Sequence, residues 1–214
     1  MQVKKEDMCL YLVTDRAWLK DKSLYEQVEE ALKGGVTMVQ LREKSLREEE
    51  MYAEAVELKK LCRQYQVPFI INDDVALALK VDADGVHVGQ SDMNPARVRK
   101  MIGKDKILGV TAKTVEQARR AEEEGADYLG SGAVFHTGTK TDTKELDHAV
   151  LQEICESVRI PVVAIGGISA KNVHVLRGRG ISGIATVSGI LAQPDIKVAA
   201  ETLHSLVDKF ILEK

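Results

Sequence analysis

The sequence predicts a single-domain (β/α)8 TIM barrel over residues 1–214, an α/β fold in which each parallel strand is followed by a helix. Short β-rich runs alternate with amphipathic segments from one end to the other. Shared among eight such units, 214 residues leave about 27 per unit, near the short end of the range for this architecture. The third observation is punctuation. Glycine stands shortly before the next run in Gly34-Gly35-Val36, Gly125-Ala126-Asp127-Tyr128 and Gly180-Ile181-Ser182-Gly183, where a left-handed cap reverses a helix into a strand.

In chain order, the first run is 9–13 (Cys-Leu-Tyr-Leu-Val), apolar throughout as a strand covered on both faces requires. The segment after it repeats apolar residues at helical spacing, Leu24, Val28, Ala31 and Leu32, behind the cap residue Ser23. Runs 36–41, 68–71, 85–88 and 107–110 follow, each separated from the next by an amphipathic stretch. Thr114 caps the next helical pattern, Val115, Ala118 and Ala121, and runs 128–130, 162–165 and 183–187 complete the set. A doubly wound open sheet is the alternative arrangement of such units. It would carry a Gly-rich dinucleotide loop after the first strand, and Thr14-Asp15-Arg16-Ala17-Trp18 is not one.

Hydrophobic residues make up 44% and charged residues 29%, ordinary for a globular chain with a full core, and no composition shift or linker divides it. With a net charge of −3 and no basic run interleaved with aromatics, the expected partners are small molecules, with no nucleic acid. The charged start is followed by an apolar run, 8–13, too short for a signal-peptide core or a membrane span, so no membrane partner and a cytoplasmic location are expected. Cys9, Cys62 and Cys155 lie far apart without CxxC or Cys/His spacing, which suggests neither a disulfide framework nor a zinc site; Cys9 and Cys155 read as core. Amphipathic barrel helices look alike whether they face water or a second copy, so a homo-oligomer is as compatible as a monomer.

In a barrel the chemistry gathers at the C-terminal ends of the strands. The second run closes with Gln40-Leu41-Arg42-Glu43-Lys44, and in an extended strand side chains 40, 42 and 44 share one face, where an amide and two cations would bind an anion. Asn72-Asp73-Asp74 follows the third run, Gly89-Gln90-Ser91-Asp92 the fourth and Thr111-Ala112-Lys113 the fifth. Asp73 and Asp92 supply hard oxygen ligands from adjacent strands, which suits Mg²⁺ bridging the oxygens of a diphosphate. Asp74 reads more readily as the cap of the helix starting at Val75. Arg42, Lys44 and Lys140 would neutralise the oxygens left free by the metal. Gly166-Gly167 and Ser188-Gly189, after runs seven and eight, occupy the place where barrels bind a monophosphate, and Thr137 and Thr139 in loop 133–143 add hydroxyl donors. Two anion sites, one metal-assisted, suggest displacement at carbon between two phosphorylated molecules with diphosphate as leaving group.

These motifs, together with Gly85-Val86-His87-Val88-Gly89-Gln90-Ser91-Asp92, Thr137-x-Thr139-Lys140 with Asp142, and Ala164-Ile165-Gly166-Gly167-Ile168, closely resemble the thiamine-phosphate synthase family, collinearly from strand one to the last helix. The resemblance implies a transferase that condenses hydroxymethylpyrimidine diphosphate with a thiazole phosphate, or its carboxylated form, by a dissociative route. It implies Mg²⁺ on Asp73 and Asp92, and diphosphate contacts, including the catalytic ones, from Arg42, Lys44, Asn72, Thr111 and Lys140. Gln40 would lie against the pyrimidine, with Thr137, Thr139, Gly167, Val187 and Ser188 on the thiazole phosphate. This chain departs from the usual pattern at Thr111, Lys113, Ala133 and His136. A related thiazole tautomerase would carry a histidine at the position of Ala133, and a non-catalytic regulatory relative would have lost Asp73, Arg42 or Lys140; neither pattern is found. A phosphate-binding barrel isomerase is a third reading, weakened because this chain has no strand-end Glu or Cys placed as an obvious base.

Overall fold

The computed structural model describes residues 4, 6–19, 21–137 and 145–213. Eight parallel strands close into a barrel in sequence order: β1 (Leu10–Val13), β2 (Met38–Leu41), β3 (Phe69–Asn72), β4 (Gly85–Val88), β5 (Ile107–Thr111), β6 (Tyr128–Gly132), β7 (Val162–Ile165) and β8 (Gly183–Thr186). The seam pairs Leu10 with Ile184 and Leu12 with Thr186. The helices are α1 (Leu24–Lys33), α2 (Glu48–Gln64), α3 (Val75–Lys80), α4 (Pro95–Ile102), α5 (Val115–Glu123), α6 (His148–Ser157), the short α7 (Ser188–Leu191) and α8 (Ile196–Val207). No helix among the described residues is long and apolar enough to cross a membrane.

Local chemistry explains the boundaries. Ser23 Oγ accepts the Glu26 N–H at 3.2 Å while Glu26 returns a carboxylate to the Ser23 N–H at 2.7 Å, a reciprocal cap on α1. Thr114 caps α5 in the expected way. Gly35, Gly125 and Gly180 all hold positive φ, at 92°, 93° and 80°, a region that disfavours any side chain. One element differs from the eight-unit expectation. Between β7 and β8 the chain makes only a 3₁₀ turn, Val173–Leu176, because Gly178 and Gly180, both at positive φ, stop it within a few residues.

The period of two along each strand sorts the core into two layers. Inside the barrel lie Met8, Tyr11, Val13, Met38, Ile70, Ile107, Tyr128, Val163 and Ala185. The larger layer between strands and helices holds the alternate residues, Leu10 and Leu12 of β1 among them, together with Cys9 just before that strand. Cys9 is therefore core, as expected, whereas Cys155 is only partly buried.

Candidate active site

A pocket of about 970 Å³, its open mouth included, sits over the C-terminal ends of the strands. One wall presents Gln40, Arg42, Asn72, Thr111 and Lys113; the other presents Thr137, Gly166, Gly167, Val187 and Ser188. The floor is a chain of hydrogen bonds across the barrel. Gln40 Nε2 donates to Tyr11 Oη at 2.6 Å, the two phenols lie 2.7 Å apart, Tyr128 Oη is 3.0 Å from His87 Nδ1, and His87 Nε2 is 2.9 Å from Thr111 Oγ1.

Only one direction satisfies every proton in this chain. Tyr11 already accepts from Gln40, so its own proton must go to Tyr128, whose proton goes to His87 Nδ1, leaving Nε2–H to donate to Thr111. Run the other way, the Tyr11 proton would be buried without an acceptor, at a cost of about 1–3 kcal/mol. Burial raises the pKa of both phenols above the ordinary tyrosine value, so both remain protonated donors. Tyr11 and Tyr128 carry no mark of a site in the sequence, and His87 stands in a motif that carries the resemblance but drew no role from it. An aromatic in an apolar strand run reads as core, and only the barrel geometry turns these three toward one another.

Arg42 is held from several sides. Thr14 Oγ1, fully buried, accepts the Arg42 backbone N–H at 3.0 Å, and the guanidinium pairs with Asp15 at 3.1 Å while facing the pocket. Asp15 also accepts the Ala17 N–H at 2.9 Å, so the loop after β1 fixes the ion pair. The expected alternation of 40, 42 and 44 stops early, since β2 ends at Leu41. Lys44 is exposed and is not among the residues lining the pocket. Glu43, nearly buried, pairs with Arg16 and accepts the N–H groups of Lys44 and Ser45 at 2.7 and 3.0 Å, which shapes the loop that carries Arg42. Arg16 also pairs with Glu54.

Asp73 and Asp92 are exposed carboxylates after the paired strands β3 and β4. The Asp73 N–H bonds to the His87 carbonyl at 2.8 Å, and Asp92 Oδ2 accepts the Gly89 N–H at 2.7 Å. Both residues offer oxygen donors, the ligand type that suits a hard cation such as Mg²⁺. Asp74 is the cap of α3, accepting the Leu77 N–H at 2.8 Å. Gly166 and Gly167 hold φ of 99° and 66°, and a Cβ on Gly167 would stand 2.4 Å from the His136 carbonyl oxygen, so only glycine fits at that point of the wall. Ala133 lines the pocket, while His136 is exposed and is not among its lining residues. Thr139, Lys140 and Asp142 lie outside the described residues.

The family model described as thiamine monophosphate synthase matches residues 10–190, most of the chain. The chain belongs to that family. A thiamine-phosphate synthase of Clostridium acetobutylicum is 48% identical over 207 residues, covering 97% of this chain and 98% of its own. One from Ruminiclostridium cellulolyticum is 53% identical over 199 residues, with 93% and 95% covered. Among solved structures, thiamine phosphate pyrophosphorylase from Pyrococcus furiosus superposes with a TM-score of 0.89 at 39% identity, covering 97% and 98% of the two chains. As a member of the thiamine monophosphate synthase family, the chain is an enzyme of small-molecule substrates.

Proposed function

We propose that this thiamine-phosphate synthase family member joins hydroxymethylpyrimidine diphosphate to thiazole phosphate, giving thiamine phosphate and diphosphate. The observation that supports this most directly is that the two anion-binding walls read from the sequence face one pocket, so two phosphorylated substrates would meet within it.

In the proposed reaction the pyrimidine methylene carbon loses its bond to the diphosphate oxygen, the electron pair leaving with the diphosphate. The resulting methylene cation is then captured by the lone pair of the thiazole nitrogen. No protein nucleophile or base is required; the chain's part is position and charge. Gln40, locked by Tyr11, orients the pyrimidine ring. Arg42, with Lys44, Lys140 and Asn72, stabilises charge gathering on the leaving group, and Thr111 donates its hydroxyl to it. Lys113, which lines the same wall, adds a further cation. Thr137, Thr139, Gly167, Val187 and Ser188 hold the thiazole phosphate on the opposite wall. Mg²⁺, held by Asp73 and Asp92, would supply Lewis-acid neutralisation of the diphosphate oxygens.

The test is a product assay on the purified chain with both precursors, with Mg²⁺ and again with excess chelator. Thiamine phosphate and diphosphate should form in equal amounts and only with the divalent cation. A protein that binds both precursors and yields no product would remove this reading.

A further inference from the structure

We infer that Cys9, His204 and Asp208 form a binding site for Zn²⁺ at the N-terminal face of the barrel, opposite the substrate pocket. The three residues come from the two ends of the chain, the entry to β1 and the junction between α8 and the turn Asp208–Leu212. Their distance in sequence explains why no Cys/His spacing announces them. Along β1, Cys9 precedes the pocket-lining Val13 by four residues, roughly 13 Å in a strand.

One ligand atom from each residue lies within 4.8 Å of those of the other two. Cys9 Sγ is 3.7 Å from Asp208 Oδ1, and His204 Nε2 is 3.5 Å from Asp208 Oδ2. In a tetrahedral zinc site, with Zn–S of about 2.3 Å and Zn–N or Zn–O of about 2.0–2.1 Å, neighbouring ligands stand about 3.4–3.6 Å apart. The second observation concerns the imidazole. His204 Nδ1 is 2.5 Å from the Gly35 carbonyl oxygen, so Nδ1 carries the proton and donates it. In the neutral ring the Nε2 lone pair then faces the Asp208 carboxylate, acceptor against acceptor, an arrangement relieved either by a second ring proton, which makes an ion pair, or by a bound metal cation. A carbonyl holding the far nitrogen is also how proteins orient zinc-ligating histidines.

The donor set selects the metal. Thiolate with imidazole and carboxylate suits Zn²⁺ and disfavours Mg²⁺, which takes oxygen ligands. An open cleft bordered by Gly35, Glu201, His204, Asp208 and Glu213 gives access, leaving the fourth position to water. Burial, and then Asp208 beside it, push the Cys9 thiol up to about 12, so the apo site holds a thiol. Binding breaks the S–H bond, forms Zn–S and releases the proton to solvent. Because β1 and β8 meet at the seam of the barrel, a metal here would staple the first strand to the last helix.

The experiment is titration of the chelator-treated, desalted full chain with ZnCl₂ by calorimetry, in the presence of excess Mg²⁺. The same is done with Co²⁺ to read a thiolate-to-cobalt charge-transfer band. One Zn²⁺ per chain should bind saturably and raise the melting temperature. Cys9→Ala and His204→Gln should each weaken binding on the order of a hundredfold, and Cys9→Ala should abolish the band. An Asp73→Asn/Asp92→Asn chain should keep the site intact. Should Cys9→Ala fail to fold, His204→Gln and the more exposed Asp208→Asn decide in its place. Absence of saturable binding, binding unchanged by these substitutions, or binding lost with Asp73 and Asp92 would overturn the inference. All three outcomes would leave the synthase reading untouched.

Discussion

Tyr128→Phe removes one oxygen from the barrel floor and breaks two hydrogen bonds, to Tyr11 at 2.7 Å and to His87 at 3.0 Å. The ring still fills its place, so almost no cavity opens. Two polar groups lose their partner instead: the Tyr11 hydroxyl proton and His87 Nδ1. The first is closed in, with Tyr11 1% exposed, whereas His87 is only partly buried and lines the pocket. At about 1–3 kcal/mol for each orphaned group, the expected loss is about 3 kcal/mol, allowing for partial relaxation of the histidine toward the pocket. For a chain of this size that lowers the melting temperature by about 6–12 °C. Thermal unfolding followed by circular dichroism measures it. The double change Tyr11→Phe/Tyr128→Phe should cost less than the sum of the single changes, because removing both partners of a buried bond leaves fewer orphans. A Tyr128→Phe chain that melts within about 2 °C of the native one, or a strictly additive double variant, would refute a directional chain.

Arg42→Ala should slow product formation by on the order of 3 kcal/mol in activation free energy with little change in thiazole phosphate affinity; a near-normal rate would reduce Arg42 to an ion-pair partner of Asp15. Ala at Asp73 or Asp92 should raise the Mg²⁺ concentration needed for half-maximal rate, and an unchanged metal titration would make them solvated carboxylates. Burial, and then the nearby Asp84, push the Cys62 thiol up from its ordinary value to about 12. Since the unfolded thiol ionises first, stability contributed at this site is intact below pH 9 and is lost as pH rises toward 12. Chemical denaturation across that interval should show a steeper loss for the native chain than for Cys62→Ala, and equal slopes would contradict it.

Most of the barrel was legible because its signals are local. β-branched and aliphatic runs mark strands, and the glycines at 35, 125 and 180 mark the turns back into them. The 3₁₀ turn before β8 was hidden because Val173 and Leu176 keep an apolar spacing that a helix would also show. At the site, Asn72, Thr111 and Gly167 could be placed on the rim from their positions after strands. For Lys44 the alternation argument does not reach, because it holds only while the chain is extended and β2 ends at Leu41, so the loop sets where this side chain stands. Asp15, Tyr11, Tyr128 and His87 were missed because their roles are pairwise across strands distant in sequence.

The one-way order of protons beneath the pocket gives its two ends opposite characters. At the Thr111 end the hydroxyl oxygen is occupied by His87, so the proton it has left can only be given to an acceptor, as a phosphate oxygen is. At the Gln40 end, one amide N–H is committed to Tyr11, and the carbonyl with the remaining N–H stay together as an acceptor–donor pair. A ligand lying across this floor is therefore sorted by orientation: a heteroaromatic edge bearing a ring nitrogen beside an amino group matches one end, an anion the other. Turned end for end, the same ligand would set amino group against hydroxyl proton and anion against carbonyl oxygen. The barrel floor thus works as a polarity key, cut by residues that look in the sequence like ordinary packing.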